Sequence, residues 1–346
     1  MRHLILLLGI VPFLISCGSS KQSVYKEQIY TFGTIVEFNV WGVDEKIARQ
    51  ATAEVAQDFD YMHKAWNPWK PGSLARMNQL FATQLEFTGA PSILPLIVDA
   101  QKLSLQSHGL FNPAIGKIIK LWGFSQEPPP KGPPPDAKLI ADLVQQHPSM
   151  SDIHVNGISV KSDNPAVLLD FGAFAKGYAV DKAIEHFRSL GINNAIVNAG
   201  GDLRAIGRRG DRNWRIGIRD PRGPGILASV ETHGDESVFT SGDYERFYEY
   251  EGKRYHHIID PRTGYPAYGV TSVTVIHNIA ATADAAATAL FVAGPKDWYA
   301  IAKSMGVKMA MVVDSNGVVY MNPAMAKRIH FEKSTPPKII LSDPLS

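Results

Sequence analysis

A carboxylate and a hydroxyl stand four residues apart in Thr282-Ala283-Asp284-Ala285-Ala286-Ala287-Thr288-Ala289-Leu290, and on a helix Asp284 and Thr288 share one face. Two hard oxygen donors, joined by backbone carbonyls and water, suit Mg²⁺ rather than zinc. A Thr bonded back to its own helix with an Asp near the helix dipole fits the same spacing, so this segment alone leaves both readings open. A second segment, Arg254-Tyr255-His256-His257-Ile258-Ile259-Asp260-Pro261-Arg262-Thr263-Gly264, sets a proton acceptor beside an acid and a guanidinium, shortly after Thr240-Ser241-Gly242-Asp243-Tyr244-Glu245-Arg246-Phe247. If Tyr255 to Ile259 is a strand, His256 and His257 face opposite sides and at most one enters a given pocket. A surface hairpin with an exposed His pair is the alternative. Leu168 to Asp181 runs from an apolar strand through Asp170 and a glycine turn to a helix start carrying Lys176. Small residues there let a ligand approach open backbone amides, although a plain strand-to-helix connection with Asp170 as the cap fits equally. Asn198-Ala199-Gly200-Gly201-Asp202 reads by itself as a tight structural bend.

The elements that must position these residues follow from periodicity. Residues 30 to 40 alternate, with Tyr30, Phe32, Thr34, Val36, Phe38 and Val40 on one side, which predicts a strand with one buried face. From Asp44 the apolar residues Ile47, Ala51, Val55, Phe59 and Met62 recur at helical spacing. Further helices are expected over 92–107, 114–121, 136–146, 174–190 and 282–293. Strands are expected over 166–170, 195–198, 214–218, 238–240, 255–259, 270–276 and 309–313. Strands of the second half follow one another largely without helices between them, so the expected class is α+β with mixed or antiparallel sheets and packed helices. The proline-rich stretch 127–135 reads as a stiff surface connection between two helices. Absent are a G-x-G-x-x-G after a strand, a phosphate loop, a G-x-S-x-G elbow and an H-E-x-x-H helix, which leaves the common nucleotide folds, hydrolases and zincins unsupported.

The 346 residues balance 35 Lys+Arg against 33 Asp+Glu for a formal charge of +2, which provides no footprint for nucleic acid. Met1-Arg2-His3, an apolar run from Leu4 to Ile15 and Leu14-Ile15-Ser16-Cys17 read as a secretory signal (1–16) ending in the lipobox of a bacterial lipoprotein. Cys17 is the chain's one cysteine, so its lipidation leaves no thiol for disulfides, thiolate catalysis or zinc. The expected organisation is a lipidated Cys17 and flexible tether (17–29), one domain (30–332) and a C-terminal tail (333–346). Such a protein would be held on a bacterial membrane, facing the periplasm or the cell exterior.

Taken together, in this order and spacing, the segments resemble the ApbE family, the FAD:protein FMN transferases. Thr31-Phe32-Gly33-Thr34, the run from Trp69 to Asn78, Gly109-Leu110-Phe111-Asn112-Pro113, Leu121-Trp122-Gly123-Phe124 and the four chemical segments carry the likeness, over roughly residues 30 to 322. The resemblance implies an α+β flavin transferase fold and a Mg²⁺-dependent cleavage of FAD at its pyrophosphate. FMN is then joined by a phosphoester to a Thr or Ser of a target protein, and AMP leaves. It implies flavin contacts from Phe32, where the family usually has Met, and from Trp69, where many members have Tyr. Further FAD contacts are implied for Leu110, Phe111, Asn112, Asp170, Lys176 and Ile258. Metal ligands are implied at Ala173 through its carbonyl, at Asp284 and at Thr288, with Ala287 standing where some members carry a second Asp. His257 matches the residue that assists deprotonation of the acceptor hydroxyl. The implied partners are subunits of membrane redox complexes with a Ser/Thr-Gly-Ala-Ser/Thr motif. A Mg²⁺-dependent FAD pyrophosphatase and a non-catalytic FAD-binding lipoprotein are the alternatives.

Overall fold

The computed structural model describes residues 23–126, 128–129, 131–332 and 336–345; the expected signal, Cys17 and the first part of the tether lie outside the described residues. Nine strands form one sheet in which spatial order follows chain order: Tyr25–Thr31, Thr34–Val40, Ala195–Ala199, Asp202–Ile206, Glu236–Gly242, Val270–His277, Met309–Asp314, Val319–Met321 and Ile339–Leu341. Neighbours are antiparallel except the last two strands, which run parallel, so the sheet is mixed and the class is α+β. The final strand belongs to the tail, which thereby joins the sheet edge.

Three helices decide where the site lies. Glu45–Ala65 starts where Asp44 accepts a hydrogen bond from the Lys46 N–H at 2.7 Å, and it buries Ala48, Ala51, Val55 and Phe59. Ala175–Ser189 and Ala280–Ser304 pack against each other and against the sheet. The second of these is buried on nearly all sides over its first turns, which its run of alanines permits by letting backbones approach closely. It breaks at Gly294, φ +75°, ahead of Pro295, which has no N–H to continue the ladder, so the expected end at 293 coincides with the break. The proline-rich stretch joins helix Gly116–Leu121 to helix Ala137–Val144. No helix among the described residues is long and apolar enough to cross a membrane.

Three expected strands are corrected. The alternation over 30–40 is not one strand but a hairpin, reversed at Phe32 (φ +53°) and Gly33 (φ +73°), with Thr31 opposite Thr34. A two-residue turn preserves the period of two, so alternation alone cannot reveal the reversal. Val36, Phe38 and Val40 are buried as expected, but Tyr30 is 74% exposed. Residues 166–170 join no sheet: Ala166 belongs to a turn, and Leu168 meets Ile115 through an isolated bridge. Their backbone is satisfied elsewhere: Leu168 and Asp170 donate to the Ala114 and Pro113 carbonyls, and the Asn78 amide binds both the N–H (2.8 Å) and the carbonyl (2.9 Å) of Leu169. The expected elements hold no counterpart of helix Ser73–Phe81 or of strands Ile153–Asn156, Ser159–Ser162, Asp202–Ile206, Ile226–Glu231, Phe247–Tyr250 and Val319–Met321.

An aromatic cluster anchors the hairpin formed by Phe247–Tyr250 and Lys253–His256. Tyr248 stacks on Tyr255 with centroids 5.3 Å apart, Trp122 lies 5.5 Å from Tyr255, and the Trp122 indole donates to the Gly264 carbonyl at 2.7 Å. The expected strand 255–259 therefore ends at His256, and His257 leaves it at a fixed point.

Candidate active site

One cavity of about 780 Å³ opens among the hairpin turn at Phe32, the loop after helix Glu45–Ala65, residues 110–113, the Asp170 turn, the Gly200 bend and the Thr240–Arg246 segment. Phe32, Trp69, Leu110, Phe111, Asn112, Asp170, Ala173, Lys176, His257, Ile258, Asp284 and Thr288 all line it. Ala287 does not; its methyl group is buried in the core.

The apolar wall is built by local bonding. Asn67 Oδ1 accepts the N–H groups of Trp69 (2.8 Å) and Lys70 (3.1 Å), fixing the loop that presents the indole. Phe32 packs edge-on against Phe59, with centroids 5.4 Å apart, and against His63 at 5.9 Å. The side chain of Asn112 braces its own loop, donating to the Pro148 carbonyl at 2.8 Å and accepting from the Ala114 N–H at 3.1 Å.

The polar wall carries the charge. Asp170 does not cap the following helix, whose cap position is Phe174 without a side-chain bond; it accepts instead from the Gly172 N–H at 2.8 Å. Burial raises its pKa, opposed by that N–H, by the charge of Arg246 and by a hydrogen bond from the Trp69 side chain. Lys176 pairs with Asp202, whose other oxygen accepts from the Thr240 N–H at 2.9 Å. Despite burial, the charges of Asp202 and Asp284 drive the Lys176 pKa up, so it stays an ammonium. Asp284 accepts from the Gly177 N–H at 2.9 Å and is only 5% exposed. Burial and the charges of Asp202 and Asp181 raise its pKa to about 7, against the pull of Lys176 and the Gly177 N–H. Thr288 Oγ1 lies 3.2 Å from Ser241 Oγ.

The two histidines separate as their alternation requires. His256 is buried, with Nε2 donating to the Ala267 carbonyl at 2.7 Å and Nδ1 accepting from the Ile258 N–H at 3.3 Å. His257 faces the cavity, with Nδ1 donating to the Arg246 carbonyl at 3.2 Å. A carbonyl only accepts, so this bond holds the proton on Nδ1 and leaves the Nε2 lone pair uncommitted. Burial, then the positive charge of Arg246, holds the His257 pKa well below the usual imidazole range.

The arrangement can therefore accept a proton beside an all-oxygen donor face and a fixed ammonium. Among the described residues no three His, Cys, Asp or Glu side chains gather as a metal-binding group, so a cation here would rest on Asp284, Thr288 and backbone oxygen. That donor set fits a hard divalent ion that retains water or phosphate oxygens, and it does not fit zinc. Asp202, Ser241 and Arg246 also line the site, and nothing in their local spacing distinguishes them from turn residues. Their membership in the four segments was the available signal.

Residues 32–312 match the model of the ApbE family. A curated FAD:protein FMN transferase of Rhodobacter capsulatus is 41% identical over 303 residues, 88% of this chain and 58% of that protein. The chain thus spans little more than half the length of that relative. Another, from Vibrio cholerae, is 32% identical over 250 residues, 71% of this chain and 74% of the relative. The crystal structure of the ApbE protein of Thermotoga maritima matches with a TM-score of 0.80 at 30% identity, over 90% of this chain and all (100%) of that one. The Pseudomonas stutzeri flavinyl transferase ApbE matches at 0.77 and 27% identity, over 91% and 98% of the two chains.

Proposed function

The chain belongs to the ApbE family, and on that premise we propose that it is a Mg²⁺-dependent FAD:protein FMN transferase. The observation that carries the reading is one juxtaposition: a neutral His257 with Nε2 uncommitted shares a cavity with the Asp284–Thr288 oxygen face, Lys176 and the Phe32 and Trp69 rings. The acceptor Thr or Ser Oγ attacks the FMN-side phosphorus of FAD. The bond from that phosphorus to the bridging oxygen breaks, AMP leaves with its electron pair, and the hydroxyl proton passes to His257 Nε2. A neutral imidazole has the free lone pair this transfer needs. Asp284, Thr288 and the Ala173 carbonyl would hold Mg²⁺, which when bound draws charge from the pyrophosphate oxygens. The fit is chemical, because Asp284 is a buried carboxylate whose charge burial and neighbouring acids oppose. The Ala287 side chain has no oxygen to offer, so one carboxylate carries the cation. Lys176, held by Asp202, adds fixed positive charge, and the rings offer stacking faces to the isoalloxazine.

Acceptors with a Ser/Thr-Gly-Ala-Ser/Thr motif in membrane redox complexes, and anchorage through a lipidated Cys17 on the periplasmic or outer face of a bacterial membrane, complete the proposal. The test incubates the chain with FAD and an acceptor domain, with and without Mg²⁺. Flavin fluorescence on the denatured acceptor together with free AMP supports transfer. AMP without labelled acceptor would favour the pyrophosphatase, and bound FAD with neither product the carrier. A Cys17→Ser chain that still partitions with membranes would remove the anchor.

A further inference from the structure

We propose that Asp181 is a positioning residue for the cation face: it fixes the start of the helix that bears Asp284 and Thr288 and so sets how tightly those oxygens hold a divalent ion. The inference rests on the cation reading above. Helix Ala280–Ser304 has no cap of its own, since Ile279 in the cap position has an apolar side chain, which leaves the first N–H groups without a local partner. Asp181, from helix Ala175–Ser189, supplies what is missing. Its Oδ1 accepts from the Ala280 N–H and its Oδ2 from the Ala281 N–H, each at 2.9 Å.

The debt is returned across the same interface. Helix Ala175–Ser189 also lacks a side-chain cap, and the N–H of Gly177 in its first turn is satisfied by Asp284. Gly177 and Asp181 are one turn apart, as are Ala280 and Asp284, so the two carboxylates close a loop in which each helix caps the other. A sliding of either helix by a fraction of a turn breaks both sets of bonds. The backbones meet directly at this point: a Cβ on Gly177 would lie 2.4 Å from the Ala280 carbonyl oxygen. Arg204 aims Asp181, with Nη1 2.5 Å from Oδ1, while its remaining nitrogens hold Asp235 at 2.8 Å. One oxygen of Asp284 is thus tied to the partner helix, which orients the other.

The test measures Mg²⁺ binding by calorimetry to the full chain without FAD, beside its thermal midpoint. Asp181→Asn cannot accept both N–H groups. In the double variant Asp181→Ala, Ile279→Ser, the new Ser at an extended position caps the helix locally and restores its stability without restoring its register against the partner helix. Both variants are expected to lose roughly 10- to 100-fold in Mg²⁺ affinity, the double variant with a midpoint close to the parent. In transfer assays the Mg²⁺ concentration for half-maximal rate should rise while the KM for FAD holds. Parental Mg²⁺ affinity in Asp181→Asn, or recovery of affinity along with stability in the double variant, would overturn the inference. A parent chain that takes up no Mg²⁺ would instead overturn the cation reading, and this inference with it.

Discussion

Phe32 occupies a left-handed backbone conformation, φ +53°, at the first position of a two-residue hairpin turn where Asn is favoured. Holding a bulky residue there costs about 1–2 kcal/mol, an amount comparable to the gain from its half-buried contacts with Phe59 and His63. Since the two nearly cancel, Phe32→Asn should leave the unfolding free energy within about 1 kcal/mol of the parent. FAD affinity should nevertheless fall, because the ring that faces the cavity is gone. Denaturant unfolding and a flavin titration check this, and parental FAD affinity in the variant would remove Phe32 from the ligand site. The pattern Thr-Phe-Gly-Thr was legible as a motif, whereas the turn it makes was not. Likewise His257 could be named as one of two candidates by alternation. Which of the pair carries the uncommitted nitrogen depended on carbonyls 11 residues away in sequence, those of Ala267 for His256 and Arg246 for His257.

At the scale of elements, the site hangs on two helices whose N-terminal turns are stitched by Asp181 and Asp284. Gly177→Ala would force its methyl into the Ala280 carbonyl, with no flexible side chain to give way. Overpacking of this kind costs typically 1–3 kcal/mol, and the displaced helix should also weaken cation binding. Urea unfolding beside Mg²⁺ calorimetry tests both effects, and unchanged values for the variant would show that the interface yields without strain. A second element-scale dependence is the segment before Asp170, which joins no sheet and is held by the amide of Asn78. Asn78→Ala would leave the Leu169 N–H and carbonyl buried and unpaired, a loss of about 1–3 kcal/mol measurable by the same unfolding experiment. Helix periods were readable here, and the long helices lie close to their expected spans. The segment 166–170 looked like a strand because apolar runs are the same whether their backbone bonds go to a sheet or to an asparagine.

Across the whole molecule, the cavity stores opposed dependences on pH. His257 is held neutral, so its folded pKa lies below the unfolded one. Its contribution is present above about pH 6.5 and is lost as pH falls, because only the unfolded chain then takes up the proton. Asp284 has the opposite sign: its folded pKa is raised to about 7, so its contribution is present at low pH and is lost as pH rises through 7. With chelator present, the stability of the parent relative to His257→Gln should therefore decline on going from pH 7 to 5, and relative to Asp284→Asn it should increase. Each slope approaches about 1.4 kcal/mol per pH unit at most, and equal slopes for both comparisons would contradict the assigned environments. Legible in the chain before folding are the class of the fold, most helix positions, the family and twelve of the residues that line the cavity, because period, turn chemistry and motif order are local properties. Tertiary structure alone decided the hairpin at Phe32, the entry of the tail into the sheet, the partners of Lys176 and His257, and the mutual capping of two helices. Those depend on which distant backbone groups remain unsatisfied once the chain has packed, and no local pattern records that.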